Sequence, residues 1–309
     1  MDTKQMEYIV KIAEENSISR AAAKLYITQS ALDQQLLKLE KELGLQLFHR
    51  AKNSLKPTEA GEIYVAYARK IINLKKEAYL ILNDLAEKQA GTMTIGLTPE
   101  RGIEMFMAVY PEFYKSYPNV TVIPREINVK RQLEMLRNDT LDIGFVTLSS
   151  IPECSLEFRP ITQDNIVLAI PASHPYARYA NPPGEPLAVA DLSLFKDDTF
   201  VIMFKESTQR SIIDALFEKA GYKPRVILET SSNQTSYSMV KKGLSCSILP
   251  DYYTYPDDNV VCFRLPDAPL WQLLVAYKKG RYIGKAASYF IELATKFWKN
   301  RKSSLKEGS

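Results

Sequence analysis

The side chains whose types and spacing could do chemistry lie near the start of the chain. Gln29, Ser30, Asp33, Gln34 and Lys38 recur at the spacing of one helical face. A glutamine amide can bond bidentately to the edge of adenine, and a carboxylate such as Asp33 can accept from cytosine N4. Arg50, Lys52 and Lys56 follow with no acidic residue among them, a grouping that suits contact with phosphate. Each set has a plainer reading. Polar residues cover the outer face of most helices, and basic residues on a hairpin often serve solubility. Taken alone, the face and the basic cluster leave both readings open.

Enzymatic chemistry finds little material. The chain holds 2 histidines, His49 and His174, and 3 cysteines, Cys154, Cys246 and Cys262, far apart in sequence. No metal-ligand spacing, glycine-rich phosphate loop or nucleophile with a local histidine stands out. No catalytic residue, metal or cofactor is therefore expected, and the chain is not read as an enzyme. The scattered thiols fit a reducing cytoplasm. Of 309 residues, 46% are hydrophobic and 25% charged, with a net charge of only +4. Several packed domains are expected, with any nucleic-acid surface made by local clustering of Lys and Arg. The start lacks the apolar core of a signal peptide, and no apolar run is long enough to cross a bilayer. A cytoplasmic protein with no membrane partner follows.

The elements that must position these groups can be read from periodicity. Met6, Ile9, Val10 and Ala13 form the stripe of a first helix. Ser19 is placed as the N-cap of a second helix carrying Ala21, Ala22 and Leu25. Tyr26 and Ile27 turn the chain, and Thr28 caps a third helix closed by Gly44, with Leu32, Leu36, Leu39 and Leu43 as its buried stripe. A helix-turn-helix sets the first residues of its second helix in the major groove, which here are Gln29 and its neighbours. Residues 46–50 alternate like a strand, Asn53 and Ser54 offer a turn, and Leu55 and Lys56 return, which makes a wing. From Thr58 a long helix runs to about Gln89. Within it Tyr67, Ile71, Leu74, Ala78, Ile81 and Leu85 alternate steps of four and three, a heptad seam. Such a seam packs either on its own domain or on the same helix of another subunit.

Beyond residue 91 the pattern becomes strands alternating with helices. Strands at residues 93–97, 120–124 and 142–146 flank helices bearing Met105, Phe106, Val109 and Phe113, then Leu133 and Leu136. A second series has strands at 165–170, 200–203, 225–229 and 245–250, with helices at 209–220 and 234–242. Strands at 260–265 and 270–277 and a helix at 286–298 complete the chain. This predicts two α/β lobes with parallel strands, the chain crossing near Thr162 and returning near Asp267. In open α/β sheets ligands bind beyond the carboxyl ends of the strands. The candidates there are Thr98, Glu100, Arg101, Asn128, Thr147, Ser207, Thr208, Ser231 and Asn233. Any one of these hydroxyls and amides is an ordinary helix cap. Several around one cleft, beside helix N-terminal amides, would favour an anion. Arg101 would pair with an anionic group and Glu100 with an ammonium, so a small-molecule effector, anionic or amphoteric, is expected.

On these residues the chain resembles the LysR-type transcriptional regulators. The match is carried by Ser19, Ala21 and Ala22; Thr28 and Gln29; Leu39 and Glu40; Leu43 and Gly44; Leu47, Phe48 and Arg50; and Thr58, Ala60 and Gly61. The resemblance implies an α+β multidomain chain. Its parts are a winged helix-turn-helix over residues 1–58, a linker and dimerisation helix over 59–91, and a two-lobed α/β effector domain similar to type 2 periplasmic binding proteins. Lobe 1 would comprise 92–162 and 267–301, lobe 2 would comprise 163–266, and 302–309 would be a polar tail. It implies base reading by Gln29, Ser30, Asp33 and Gln34, and phosphate contact by Arg20, Thr28, Arg50, Lys52 and Lys56. It also implies pairing through the heptad seam, double-stranded DNA as partner, and a homo-oligomer that is at least a dimer and commonly a tetramer. Ser30 stands where the family often has proline, and Asp33 where it often has a small serine, which would alter base preference. The competing expectation is a cytoplasmic solute-binding protein without regulatory DNA binding.

Overall fold

A computed structural model of the chain describes residues 2–51, 54–182, 184–254, 257–266, 268 and 270–307. The chain divides into two compact units, Met1–Lys88 and Gln89–Ser309.

The first unit is helical. Helix α1 (Thr3–Glu15) is capped by the Asp2 carboxylate and ends in a left-handed Asn16 at φ 47°. Helix α2 (Ile18–Leu25) is capped by Ser17, whose Oγ accepts from the Arg20 amide at 3.4 Å. Ser19, expected as that cap, lies inside the first turn, its Oγ 3.0 Å from the Ser17 Oγ. Helix α3 (Gln29–Leu43) starts at Thr28, whose Oγ1 accepts from the Ala31 amide at 3.2 Å, and ends at Gly44 with φ 67°. Leu32, Leu36 and Leu39 are buried against Ile9, Ile12, Ala21 and Ala22. Leu43 is 40% exposed and does not extend that stripe, because the last turn runs past the core.

Strands β1 (Phe48–Ala51) and β2 (Ser54–Pro57) pair antiparallel as the wing. Helix α4 (Glu59–Leu85) is capped by Thr58, whose Oγ1 accepts from the Gly61 amide at 3.0 Å while its hydroxyl donates to the Gln46 carbonyl at 2.7 Å. Gly61 is required by close approach. A Cβ at this position would lie 1.9 Å from the Leu47 carbonyl oxygen, which is backbone and cannot yield. The buried face of α4 is Gly61, Val65, Ala68 and Ile72, and Ala68 and Ile72 pack with Met6 of α1.

The second unit contains two five-stranded sheets. Lobe 1 is built from β3 (Ala90–Leu97), α5 (Arg101–Ser116), β4 (Asn119–Glu126), α6 (Val129–Arg137), β5 (Ile143–Leu148) and β6 (Leu156–Asp164). Lobe 2 follows with β7 (Ile166–Pro171), β8 (Thr199–Met203), α7 (Thr208–Lys219), β9 (Arg225–Thr230), α8 (Asn233–Lys241), β10 (Cys246–Pro250) and β11 (Val260–Arg264). The chain then returns to lobe 1 with β12 (Trp271–Lys278) and α9 (Lys285–Glu307). The strand orders are β4-β3-β5-β12-β6 and β11-β7-β10-β8-β9.

The sheets are mixed: the strands that alternate with helices pair in parallel as expected, and antiparallel strands complete each sheet. β12 is antiparallel to β5 and β6, and β7 is antiparallel to β10 and β11. Strand β6 was not anticipated. Its run LEFRPITQD includes Pro160, which a sheet tolerates at an edge, and the register against β12 slips beside it. Because β6 stays paired up to Asp164, the crossing falls at Asn165 rather than near Thr162. The return lies between Arg264 and Trp271, and Asp267 is outside the described residues. Helix α9 runs to Glu307 and so takes in much of the expected tail.

Candidate nucleic-acid interface and ligand cleft

In the first unit one face of α3 is locked in the core and the other is turned outward. Its leucines fill the core, and Glu40 accepts from the Leu47 and Phe48 amides at 2.7 and 3.3 Å, which fastens the wing to the helix. Gln29, Ser30 and Gln34 are exposed on the opposite side, and Asp33 is half-buried. Arg20 and Thr28 are exposed beside them, and Lys56 is exposed on the wing opposite His49. Arg50 belongs to β1, while Lys52 and Asn53 are outside the described residues. Two further residues shape this surface. Glu40 braces the wing, and Tyr26 at the turn before α3 is 96% exposed, its left-handed backbone (φ 55°) turning the ring outward. The heptad seam does not pack on its own unit. Tyr67, Leu74 and Leu85 are 61%, 70% and 76% exposed, Ile71 and Ala78 are exposed, and Ile81 is half-buried.

In the second unit the β3–α5 turn of lobe 1 meets the start of α8 in lobe 2. Glu100 adopts φ 60° and ψ −87°, a sparsely populated region for a residue other than glycine, and makes no cap bond of its own. Its carboxylate accepts from the Ser232 hydroxyl, which joins the two lobes. Ser232, not Ser231, caps α8, its Oγ accepting from the Thr235 amide at 2.9 Å; Ser231 is exposed. Thr208 bridges the lobes a second time, donating to the Thr147 carbonyl at 3.2 Å. Ser207 caps α7 and Asn128 caps α6, as their positions foretold.

Arg101 departs from expectation. It is 3% exposed, ion-paired to Asp164, and lies over the rings of Tyr252 and Trp298 at 4.6 and 4.5 Å. Its charge is thus matched within the fold rather than offered to a ligand. Glu104 is likewise matched, by Arg301 and by the Tyr252 hydroxyl. Thr98 Oγ1 and Asn233 Oδ1 are buried with no hydrogen-bond partner. Burial pushes the Tyr253 phenol well above its usual range; the Glu100 carboxylate adds to this, and Arg101 and a hydrogen bond with Asn233 oppose it. Asp164 and Tyr253 carried no sequence signal, since each matters through a partner distant in the chain.

Among the described residues, His174, Asp198 and Cys246 bring possible metal-ligand atoms within 4.8 Å of one another. His174 Nδ1 accepts from the Tyr176 amide at 3.1 Å, which places the ring proton on Nε2, facing Asp198 Oδ1 at 3.1 Å. Burial, with the Asp198 charge adding, pushes the Cys246 thiol up to about 12. His174 and Asp198 are thus hydrogen-bonded to each other, with no imidazole lone pair turned toward an ion. No helix among the described residues is long and apolar enough to cross a membrane.

Comparison with known proteins accounts for both units. Residues 3–62 match the bacterial regulatory helix-turn-helix protein, lysR family, and residues 86–299 match the LysR substrate binding domain. YcgK of Bacillus subtilis (strain 168), an uncharacterized HTH-type transcriptional regulator, is 29% identical, covering 95% of this chain and 94% of its own. YnfL of Escherichia coli (strain K12), also an uncharacterized HTH-type transcriptional regulator, is 30% identical over 81% of this chain and 82% of its own. Among solved structures, a full-length OxyR variant from Pseudomonas aeruginosa has a TM-score of 0.69 at 23% identity, covering 96% of this chain and 94% of that one. CbnR complexed with its target DNA has a TM-score of 0.55 at 20% identity, covering 96% and 99%. These structures share the fold.

Proposed function

The chain belongs to the LysR family of DNA-binding transcriptional regulators, and we propose that a small molecule held between its lobes sets how paired copies lie on DNA. The observation that carries the DNA half is α3, with three leucines buried on one side, a wing fastened by Glu40, and Gln29, Ser30 and Gln34 exposed on the other. Gln29, Ser30, Asp33 and Gln34 read base edges in the major groove. Arg20, Thr28, Arg50, Lys52 and Lys56 hold the phosphates, and Tyr26 joins them from the turn. That CbnR has been captured on its target DNA supports this assignment.

The exposed seam on α4 pairs with the same seam of a second copy, giving at least a dimer that presents two reading helices to a two-fold related site. Its place of work is the cytoplasm, where the DNA is. The effector binds in the cleft bounded by Thr98, Glu100, Thr147, Thr208 and Asn233, and shifts the equilibrium between arrangements of the oligomer by its differential affinity for them.

Salt-dependent binding of the full chain to its own promoter DNA tests this. Gln29→Ala should cost about 1–3 kcal/mol at one base position and relax preference there. Lys56→Ala should weaken all sequences alike and lower the salt slope by about one. If the two variants behave identically, the division into reading and clamping residues is wrong; absence of any salt-sensitive DNA preference sinks the whole proposal.

A further inference from the structure

We infer that the ligand of the cleft carries a cationic nitrogen, an ammonium or amidinium group, and that Glu100 is its counter-charge, which presupposes that the cleft is the effector site. The distribution of charge points there. Arg101, the basic group at the start of α5, is buried and neutralised by Asp164. Glu104 is matched by Arg301. Glu100 has no basic partner among the described residues, and the Ser232 hydroxyl is what meets its carboxylate.

Two uncharged neighbouring groups can accept a hydrogen bond, whereas the unpartnered Arg101 Nε and Nη2 belong to the guanidinium already paired with Asp164. Asn233 is 8% exposed, hydrogen-bonds the Tyr253 phenol, and leaves Oδ1 as a buried acceptor without a donor. Thr98 Oγ1 is also buried and unpartnered, two residues before Glu100. The bond from Ser232 to Glu100 joins the two turns that carry these groups. An unmet amide oxygen and a hydroxyl able to accept, beside an unmatched carboxylate, complement a positively charged N–H donor. The N-termini of α5 and α8 would by themselves favour an anion, and the Glu100 carboxylate already stands there. A ligand carboxylate would add a second negative charge beside the first. A ligand nitrogen would displace the Ser232 hydroxyl and bond Glu100, Asn233 and Thr98 together. The strained backbone of Glu100 holds its carboxylate in position for this exchange. A direct bond between the lobes would thereby become one made through the ligand.

Thermal unfolding of the full chain tests the inference, because a ligand specific to the folded state raises the midpoint by mass action. The probes are putrescine, agmatine and arginine, set against succinate, benzoate and Ca2+. At least one cationic probe is expected to raise the midpoint with increasing concentration, and Glu100→Gln should weaken its apparent affinity roughly tenfold or more. Ser232→Ala, which removes the internal competitor for Glu100, should strengthen the same response. That second variant carries the test if Glu100→Gln fails to fold. A response to the carboxylates or Ca2+ alone overturns the inference. So does an equal response in Glu100→Gln and the parent, a response abolished by Ser232→Ala, or none to any cationic probe. Promoter binding measured in parallel separates the two levels. Intact DNA binding with a carboxylate-only response defeats this inference alone, whereas loss of DNA preference defeats the regulator reading beneath it.

Discussion

Replacing Asp164 by asparagine is expected to leave the Arg101 guanidinium buried without a counter-charge. Arg101 and Asp164 are 3% and 8% exposed, so water screens little of the loss. Arg101 Nε and Nη2 have no other hydrogen-bond partner to absorb it. Removing one partner of a buried pair costs about 3–5 kcal/mol, a large share of the roughly 5–15 kcal/mol that holds a typical domain. Urea unfolding followed by tryptophan emission isolates the effect, because both tryptophans, Trp271 and Trp298, lie in the second unit. The midpoint should fall with the slope unchanged. Arg101→Met combined with Asp164→Leu should recover most of the loss, since an apolar pair of similar volume avoids the desolvation of both charges. A loss below about 1 kcal/mol in Asp164→Asn, or a double variant as weak as the single one, would refute the assignment of Arg101 to a structural pair.

Two further outcomes are expected. Gly61→Ala should destabilise the first unit by about 1–3 kcal/mol and weaken DNA binding, because the new methyl meets the Leu47 carbonyl; circular dichroism melting of the isolated residues 1–88 reads it. Cys246 and Cys262, whose thiols burial pushes up to about 12, stay protonated at neutral pH. Alkylation of the native protein at pH 8 followed by peptide mapping should label Cys154 first, and rapid labelling of Cys246 would contradict the burial.

The legible parts of the molecule were those whose cause is local. The α3 leucines and the Thr28 cap lie within one element and repeat at its period, so a helix that buries one face and bares Gln29 could be read directly. The α4 seam was legible for the same reason. Capping was harder, because neighbouring hydroxyls compete: Ser17 and Ser19, or Ser231 and Ser232, differ only in where the backbone leaves the helix, and the pattern of side chains does not record that. Strand β6 was hidden by Pro160 and its polar alternation, which only an edge position beside β12 makes tolerable. The fate of Arg101 was hidden by distance. Its partner lies 63 residues away, across a connection that the sequence does not describe.

The order of strands in lobe 1 bears on how the protein is made. Strand β12 lies between β5 and β6, yet it is synthesised after every strand of lobe 2. As the chain leaves the ribosome, lobe 2 can close its sheet once β11 has emerged. Lobe 1 at that moment has β5 and β6 with the space between them empty, their edges unpaired and Phe145 and Ile161 uncovered. The DNA-binding unit, complete long before, therefore waits on a partly built neighbour until residues 271–278 arrive. A nascent chain stalled just before Trp271 would hold a finished helix-turn-helix, a second lobe whose core still lacks Trp271, and an open first one. In that window pairing of a bare edge with another chain competes with the arrival of its own last strand.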